Sequence, residues 1–575
     1  MRRALSAGLL AAAATACSTS TVERTQVIDA VTEYGVVHGH PSDGARAWFA
    51  IPYAAAPVDD LRWEPPQHPQ AWTGALNADQ PGQPCAQPGY EEDGAFKVLG
   101  FEDCLTLNVY APAETADKPL PVMVWIHGGG NYAGSAAEYD GSRLAAAQDV
   151  IVVTVNYRLG PFGWFHHEAM TTADDGSART GQFALLDLIA SLEWVEANIG
   201  AFGGDADNVT IFGESAGAQN VYALVLAKRA AGLFDKAIAE SGGFWNMSLP
   251  QARNLTTETP PGTRASANEI IVDLLIQDGR ADSRADATAL IETMSQDDLL
   301  DWMRGLDTES ILRPYADQHD LGYDLPSVVQ DGVLLPKTDH RAHIASGDYN
   351  QVPMLIGSNR NEQKLWQAFD PSFVDWSSGA PDILDRNRYT AVDQHYSNLW
   401  TFDAVDDLAP RLDAPVFAYR FDWDEQPSQP VDWPFLMGSS HGLEIPFVFG
   451  TFEASGIEDI FNDDNEAGRL TLSDAMMSYW GAFAHTGDPG AGADSGLTDW
   501  PSWQTSQSKL IFDTGPLSIE RVPDESREQL LDAALGDTRL TDADRCLILH
   551  HNSLYPSLDI KRLAEAGCEP AWAGE

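Results

Sequence analysis

Val209-Thr210-Ile211-Phe212-Gly213-Glu214-Ser215-Ala216-Gly217-Ala218 is the stretch that decides the fold. An apolar run leads into it and a helical stretch follows, so a Gly-x-Ser-x-Gly pattern lies between a strand and a helix. Such a sharp turn exposes the serine Oγ at the start of the helix, and Gly213 and Gly217 avoid collisions on either side. We therefore predict that Ser215 is a nucleophile; a structural serine is the alternative.

Further apolar runs predict the sheet around this turn. They have the character of strands buried on both faces: Val122–Ile126, Val150–Val155, Val209–Phe212, Val352–Ile356 and Val416–Tyr419. Helical stretches such as Ala184–Ile199 and Ala216–Ala231 alternate with them. The alternation predicts an α/β fold, a mostly parallel central sheet covered by helices on both faces. The segments Asn246–Arg264 and Phe369–Leu399 are more polar and are expected to be irregular insertions over the top of the sheet.

A second Gly-x-Ser-x-Gly match, Gly438-Ser439-Ser440-His441-Gly442, lacks this context. No long apolar strand leads into it, and Pro446 soon follows. We therefore predict that Ser440 is not a nucleophile.

The composition excludes several classes of function. The 575 residues include 85 Asp and Glu against 35 Lys and Arg, a formal charge of −50. This charge argues against nucleic acid and anionic membrane surfaces as partners, because a protein needs a basic patch to bind either of them. With 44% hydrophobic residues, the chain is too apolar for intrinsic disorder. The acidic excess indicates either a surface solvated for saline surroundings, which we favour, or attraction of cationic ligands.

The N-terminus is typical of an export signal. Arg2 and Arg3 precede the apolar run Ala4–Ala16, which is too short to span a bilayer. Residues 1–16 are therefore predicted to be removed. Cys17 then follows the small residues 14–16 as in a lipoprotein signal, so we predict that it is lipidated, with ordinary signal cleavage as the alternative. A lipid there would be the chain's one attachment to a membrane, through a flexible tether over 17–30, and 31–575 would form a single domain.

The remaining cysteines form two sequence-local pairs. Exported chains tend to use cysteines in disulfides. We expect one bond between Cys85 and Cys104, and a second between Cys546 and Cys568 that staples the C-terminal tail. Unpaired buried thiols are the alternative.

Several motifs besides the serine turn resemble one family. They are Glu102-Asp103-Cys104-Leu105-Thr106-Leu107-Asn108-Val109-Tyr110, Trp125-Ile126-His127-Gly128-Gly129-Gly130, Asn156-Tyr157-Arg158-Leu159-Gly160, Ala201-Phe202-Gly203-Gly204-Asp205, Tyr479-Trp480 and Phe483-Ala484-His485-Thr486-Gly487-Asp488-Pro489. In this order they resemble the type-B carboxylesterases, the group that contains cholinesterases and bacterial para-nitrobenzyl esterases. The resemblance implies an α/β-hydrolase fold and hydrolysis of carboxylic esters without a metal or cofactor.

The resemblance also implies the partners of Ser215. The loop from Ser440 to Gly450 resembles the one that carries the family's catalytic histidine, which makes His441 the base; His485 is its main rival. The orienting acid is then Glu362, with a surface glutamate as the alternative. Asn361 and Gln363 flank it where relatives carry Asp and Gly.

Backbone amides are expected to hold the oxyanion. By the family pattern they belong to Gly129, Gly130 and Ala216, and Asn131 stands where relatives usually carry Phe. Glu214 and Glu444 are expected as further carboxylates near the histidine; a purely structural role is the alternative for both.

The substrate is predicted more coarsely than the reaction. Cholinesterases hold the ammonium group against a tryptophan in the first disulfide loop, and residues 86–103 contain none, so dedicated choline-ester hydrolysis is not expected. We predict small to medium neutral esters. Four tryptophans are candidates for an aromatic pocket, with buried packing as the alternative: Trp245, Trp366, Trp423 and Trp433. A catalytically inactive binding or adhesion protein is the competing class of function, but such relatives typically lack the nucleophile.

Overall fold

The structure is a computed structural model that describes residues 28–553 and 567–568, except 92–93, 171–179, 245, 318–326, 454–458 and 494. The predicted export signal, Cys17 and Trp245 lie outside the described residues.

The strands follow the chain in this order: β1 (Ile28–Thr32), β2 (Gly35–Ser42), β3 (Ala45–Pro52), β4 (Ala75–Asn77), β5 (Gln87–Tyr90), β6 (Phe96–Leu99), β7 (Thr106–Pro112), β8 (Leu120–Ile126), β9 (Ile151–Val155), β10 (Gly204–Glu214), β11 (Lys236–Glu240), β12 (Asn246–Ser248), β13 (Val328–Gln330), β14 (Met354–Asn359), β15 (Val374–Asp375), β16 (Asp382–Ile383), β17 (Val416–Phe421), β18 (Ser508–Phe512) and β19 (Ser518–Arg521).

The helices are α1 (Ser142–Gln148), α2 (Gly160–Gly163), α3 (Phe183–Asn198), α4 (Ala216–Leu226), α5 (Leu249–Arg253), α6 (Ala267–Gln277), α7 (Arg284–Thr293), α8 (Gln296–Arg304), α9 (Thr308–Asp317), α10 (His340–Ala345), α11 (Lys364–Gln367), α12 (Arg386–Thr401), α13 (Trp433–Leu436), α14 (Ile445–Phe449), α15 (Glu466–Thr486), α16 (Trp503–Ser506), α17 (Arg527–Gly536) and α18 (Asp542–Ser553).

One large sheet has the order β1-β2-β3-β7-β9-β8-β10-β11-β14-β17-β18-β19, with β4 beside β2. Its centre, from β9 to β18, is parallel, and antiparallel pairs extend it at both edges. Each of the predicted buried strands lies in this parallel centre. The mostly parallel α/β architecture is thus confirmed.

Helices bury both faces of the sheet. Along β8, Val122 and Val124 pack in one apolar core with residues of α3 and α4, whereas Met123 and Trp125 pack in a second core with residues of α15. This division follows from the alternation of side chains along a strand. A third core joins α6, α8 and α9 in an insertion.

Two predicted elements differ in extent. The helix after Ser215 ends at Leu226 rather than at residue 231, because the chain turns extended at Ala227. The side-chain amide of Asn350 donates to the carbonyl oxygens of Leu224 and Ala227 (3.0 Å each) and so satisfies groups at the helix end. The polar segment 369–399 is not irregular throughout, because α12 covers much of it.

Both predicted disulfides are present, joining Cys85 to Cys104 and Cys546 to Cys568. In the part of the chain that the structure describes, no helix is long and apolar enough to cross a bilayer.

Candidate active site

Ser215 is held in a strained turn between β10 and α4. Its φ of 58° and ψ of −123° are unusual for a residue with a side chain. The Ser215 amide donates to the carbonyl oxygen of Glu240 (2.9 Å), and the Ser215 carbonyl accepts from the Gln219 amide (3.0 Å). The turn is thus fixed by the neighbouring strand and by the helix that it starts.

The two glycines of the motif let this turn approach β8. A Cβ at Gly213 would lie 2.5 Å from the Ile126 carbonyl oxygen, and one at Gly217 only 2.0 Å from the same atom. Real Cβ atoms do not approach backbone that closely. The glycines are therefore required by contact with the neighbouring strand.

The loop after β8 lies directly against Ser215. A Cβ at Gly128 would lie 3.1 Å from the Ser215 Cβ. Gly129 and Gly130 both have positive φ, 89° and 65°, and neither is buried. Ala216, the other predicted oxyanion donor, is the first residue of α4. The three residues predicted to hold the oxyanion thus belong to two backbone segments beside Ser215.

Asn131 ties this loop to the helix after Ser215. It is fully buried with φ 57°, and its Oδ1 accepts a hydrogen bond from the Asn220 side chain (2.8 Å). Its carbonyl accepts from the Gly160 amide (2.8 Å). The departure from the family pattern therefore introduces a polar connection between the loop and α4.

His441 and Glu362 form a close buried pair. His441 Nδ1 lies 2.6 Å from Glu362 Oε2, and Glu362 Oε1 accepts from the Asn359 amide (2.7 Å). Glu362 is 0% exposed, so it is not a surface glutamate. The flanking residues anchor its loop to α12: the Asn361 amide group donates to Asp393 (2.7 Å), and the Gln363 backbone amide donates to Ser397 Oγ (3.2 Å).

Glu214 approaches the other nitrogen of the same histidine. Its Oε1 lies 3.1 Å from His441 Nε2 without the geometry of a hydrogen bond, so that among the described residues Nε2 has no hydrogen-bond partner. Burial alone would lower the pKa of His441, but the charges of Glu214 and Glu362 raise that pKa to about 9. Burial raises the pKa of Glu214, whereas the charge of His441 lowers that pKa and partly offsets the rise. The carboxylates therefore favour the protonated form of His441, and His441 favours the charged form of Glu214.

Two more buried carboxyl groups complete the cluster. Glu444 accepts hydrogen bonds from Ser241 Oγ (2.9 Å) and from the Asn359 side chain. Glu240 accepts from the Trp480 indole (2.8 Å), and burial together with the charge of Glu444 raises the pKa of Glu240 well above its usual range. Glu240 and Ser241 were not anticipated from the sequence; their one signal was their position after a short apolar run, next to the strand of Ser215.

Aromatic rings border the histidine. The rings of Trp366 and Trp400 each lie 5.0 Å from that of His441, and Trp366 is 44% exposed. Trp400 was not anticipated either. Trp423 is instead buried in the core beneath the sheet, and Trp433 is partly buried.

The rival residues have other surroundings. Ser440 is buried, and its carbonyl oxygen accepts from the Asn359 side chain (2.8 Å). His485 lies on α15, where its Nε2 contacts the Gln148 carbonyl oxygen (2.9 Å). Within the described ranges, no group of three or more His, Cys, Asp or Glu is placed to hold a metal ion.

Comparison with known proteins identifies the family of this chain. The model of the carboxylesterase family matches residues 26–378 and 385–529. The para-nitrobenzyl esterase of Bacillus subtilis (strain 168) is 35% identical over 529 residues, covering 88% of this chain and 99% of the relative. A human cocaine esterase is 32% identical over 527 residues, covering 82% of this chain and 84% of the relative.

Solved structures give the same assignment. A PNB esterase superposes with a TM-score of 0.66 at 32% identity, covering 87% of this chain and 99% of that chain. The Geobacillus stearothermophilus carboxylesterase EST55 gives a TM-score of 0.67 at 29% identity, covering 86% and 98%. The strained serine turn and the buried His–Glu pair thus occur in a chain that belongs to the carboxylesterase family and is a carboxylic ester hydrolase.

Proposed function

We propose that this esterase acts through a Ser215–His441–Glu362 triad with an acyl-enzyme intermediate. The observation that carries the proposal is the 2.6 Å contact between His441 Nδ1 and the buried Glu362 carboxylate. A proton on Nδ1 that is donated to Glu362 leaves Nε2 as an acceptor, and Nε2 is the nitrogen without a hydrogen-bond partner among the described residues. Nε2 is therefore the atom that takes the Ser215 proton.

The reaction then has two halves. Ser215 Oγ attacks the ester carbonyl carbon as Nε2 accepts its proton, and the amides of Gly129, Gly130 and Ala216 stabilise the oxyanion. His441 returns the proton to the leaving alcohol as the acyl-enzyme forms. Water repeats the sequence on the acyl-enzyme, which releases the carboxylic acid and restores Ser215.

We propose small to medium neutral esters as substrates. Trp366 and Trp400 present apolar rings beside His441, and this favours a neutral ester group over a charged one. The formal charge of −50 further disfavours polyanionic esters, since the field of the protein repels them.

The test is whether removal of the Ser215 Oγ abolishes turnover. Ser215→Ala should abolish hydrolysis of para-nitrophenyl acetate and butyrate, whereas Ser440→Ala, the matched control in the second Gly-x-Ser-x-Gly pattern, should retain it. Hydrolysis by Ser215→Ala at the wild-type rate would refute the triad.

A covalent probe separates this proposal from an inactive binding protein. An organophosphonate should form one adduct on Ser215, located by peptide mass spectrometry. Absence of an adduct in folded protein would favour the binding protein.

We also propose that the chain is exported, which the two disulfides support. The mass of the mature N-terminus tests the form of export. A diacylglycerol on Cys17 indicates a lipoprotein, and a free N-terminus near residue 17 indicates secretion. Retention of Met1 and the apolar run in the mature protein would contradict export.

A further inference from the structure

A cavity of about 450 Å³ lies at the far end of α4 from the serine. Its lining includes Leu226, the last residue of α4, and the two cationic residues Lys228 and Arg229 just beyond it. At about 1.5 Å per residue, the eleven residues of α4 separate this end from Ser215 by about 16 Å. The cavity is therefore distinct from the proposed catalytic site.

The floor of the cavity is apolar and preformed. Leu186 of α3 and Leu226 of α4 contribute to it, together with the loop over residues 332–336. One carboxylate fixes this loop: Asp331 Oδ1 accepts hydrogen bonds from the amides of Val333, Leu334 and Leu335, at 2.9, 3.0 and 3.1 Å. Because three hydrogen bonds already hold this loop, little conformational entropy is lost when a ligand binds against it.

The rim of the cavity carries more positive than negative charge. Lys228 is paired with Asp348 (2.7 Å), but Arg229 has neither an ion pair nor a hydrogen bond within the described part of the chain. His343 also lines the cavity, and its Nε2 is buried without a hydrogen-bond partner among the described residues. In a chain of charge −50, a cavity rim with an excess of positive charge is a local exception.

We propose that this cavity binds an amphipathic carboxylate, an alkyl chain that ends in one carboxylate group. The chain would contact the preformed loop, where Val333 is 55% exposed, and the carboxylate would pair with the exposed guanidinium of Arg229. A neutral alcohol would lack the charge that pairs with Arg229, and an inorganic anion would leave the apolar floor exposed to water. The apolar floor therefore favours the alkyl chain of the ligand, and the positively charged rim favours its carboxylate.

The test measures binding of octanoate to the full chain by calorimetry at about 0.15 M salt, where the Debye length is about 8 Å and distant charges are screened. Arg229→Gln should weaken binding about tenfold, since a hydrogen bond from a charged donor is lost. Arg521→Gln is the matched control, because Arg521 is an exposed arginine on β19. It should change the affinity less than twofold.

Two further measurements locate the ligand. Val333 is 55% exposed, so Val333→Asp should leave the melting temperature near that of the wild type while its carboxylate abolishes octanoate binding. Octanol should bind at least tenfold more weakly than octanoate. The proposal is overturned if octanoate does not bind, if Arg229→Gln and Arg521→Gln weaken it equally, or if it binds folded Val333→Asp as it binds the wild type. The last result would place octanoate elsewhere, for instance at Ser215, so the proposed catalytic function does not depend on the outcome.

Discussion

Glu214→Gln is expected to move the acidic limb of the pH–rate profile to lower pH. His441 can act as a base only when its Nε2 is unprotonated, so activity falls as the pH drops through the pKa of His441. At 3.1 Å and an effective dielectric constant of about 20, full charges on Glu214 and His441 attract by about 5 kcal/mol. Burial keeps Glu214 partly protonated, so only part of this attraction is realised. Removing it should lower the pKa of His441 by about 1–2 units.

The assay is kcat/KM for para-nitrophenyl acetate across the pH range, because this parameter reports the ionisation of the free enzyme. Glu444→Gln is the control. The Glu444 carboxylate is held by Ser241 and Asn359, and it raises the pKa of His441 less than Glu214 does. The acidic limb should therefore move less in Glu444→Gln than in Glu214→Gln. An unmoved limb in Glu214→Gln, with the plateau rate retained, would refute the reasoning, and so would equal shifts in the two variants.

The remaining predictions concern stability. Gly217→Ala should destabilise the protein by about 3 kcal/mol or more through collision with the Ile126 carbonyl oxygen, measured by urea unfolding. Gly200→Ala should not destabilise the protein, because an added methyl group there meets nothing within 4 Å. Equal losses of stability in Gly217→Ala and Gly200→Ala would contradict the packing argument. Replacing both Cys546 and Cys568 by Ser should lower the free energy of unfolding by about 3 kcal/mol, and an unchanged melting temperature would show that the bond constrains little. Added NaCl should raise the melting temperature, because salt screens repulsion within a chain of charge −50; a flat melting temperature would count against adaptation to saline surroundings.

The parallel sheet and the serine turn could be predicted because their signals are local. Buried strands such as β8, β9 and β17 consist almost entirely of apolar residues, and glycines at a fixed spacing around Ser215 predict the serine turn. The strands β1, β2 and β19 near the edges lack such runs and were not predicted. Their positions depend on pairing with neighbours rather than on their own composition.

Residues that depend on distant partners and lie outside every recognised motif could not be predicted. Glu240 is buried because Trp480, 240 residues later, donates to its carboxyl group. Trp400 reaches His441 from α12, a helix in a polar segment that turns Tyr389 and Val392 inward. Beyond the short apolar run before Glu240, nothing local marks Glu240 or Trp400 as part of the site.

The carboxyl cluster shows how the fold selects one acid among four. Glu214 ends β10, Glu240 ends β11 and Glu362 follows β14, so three neighbouring parallel strands deliver carboxyl groups to one edge of the sheet, where Glu444 joins them. Repulsion prevents all four from being charged together in a buried space. Glu362 and Glu444 both have partners at their two oxygens, whereas the Oε2 of Glu240 has none among the described residues, and burial raises the pKa of Glu240. Glu362 differs from Glu444 in the 2.6 Å contact of its Oε2 with His441 Nδ1, and this position, rather than the residue type, fits Glu362 for the proposed role of orienting His441.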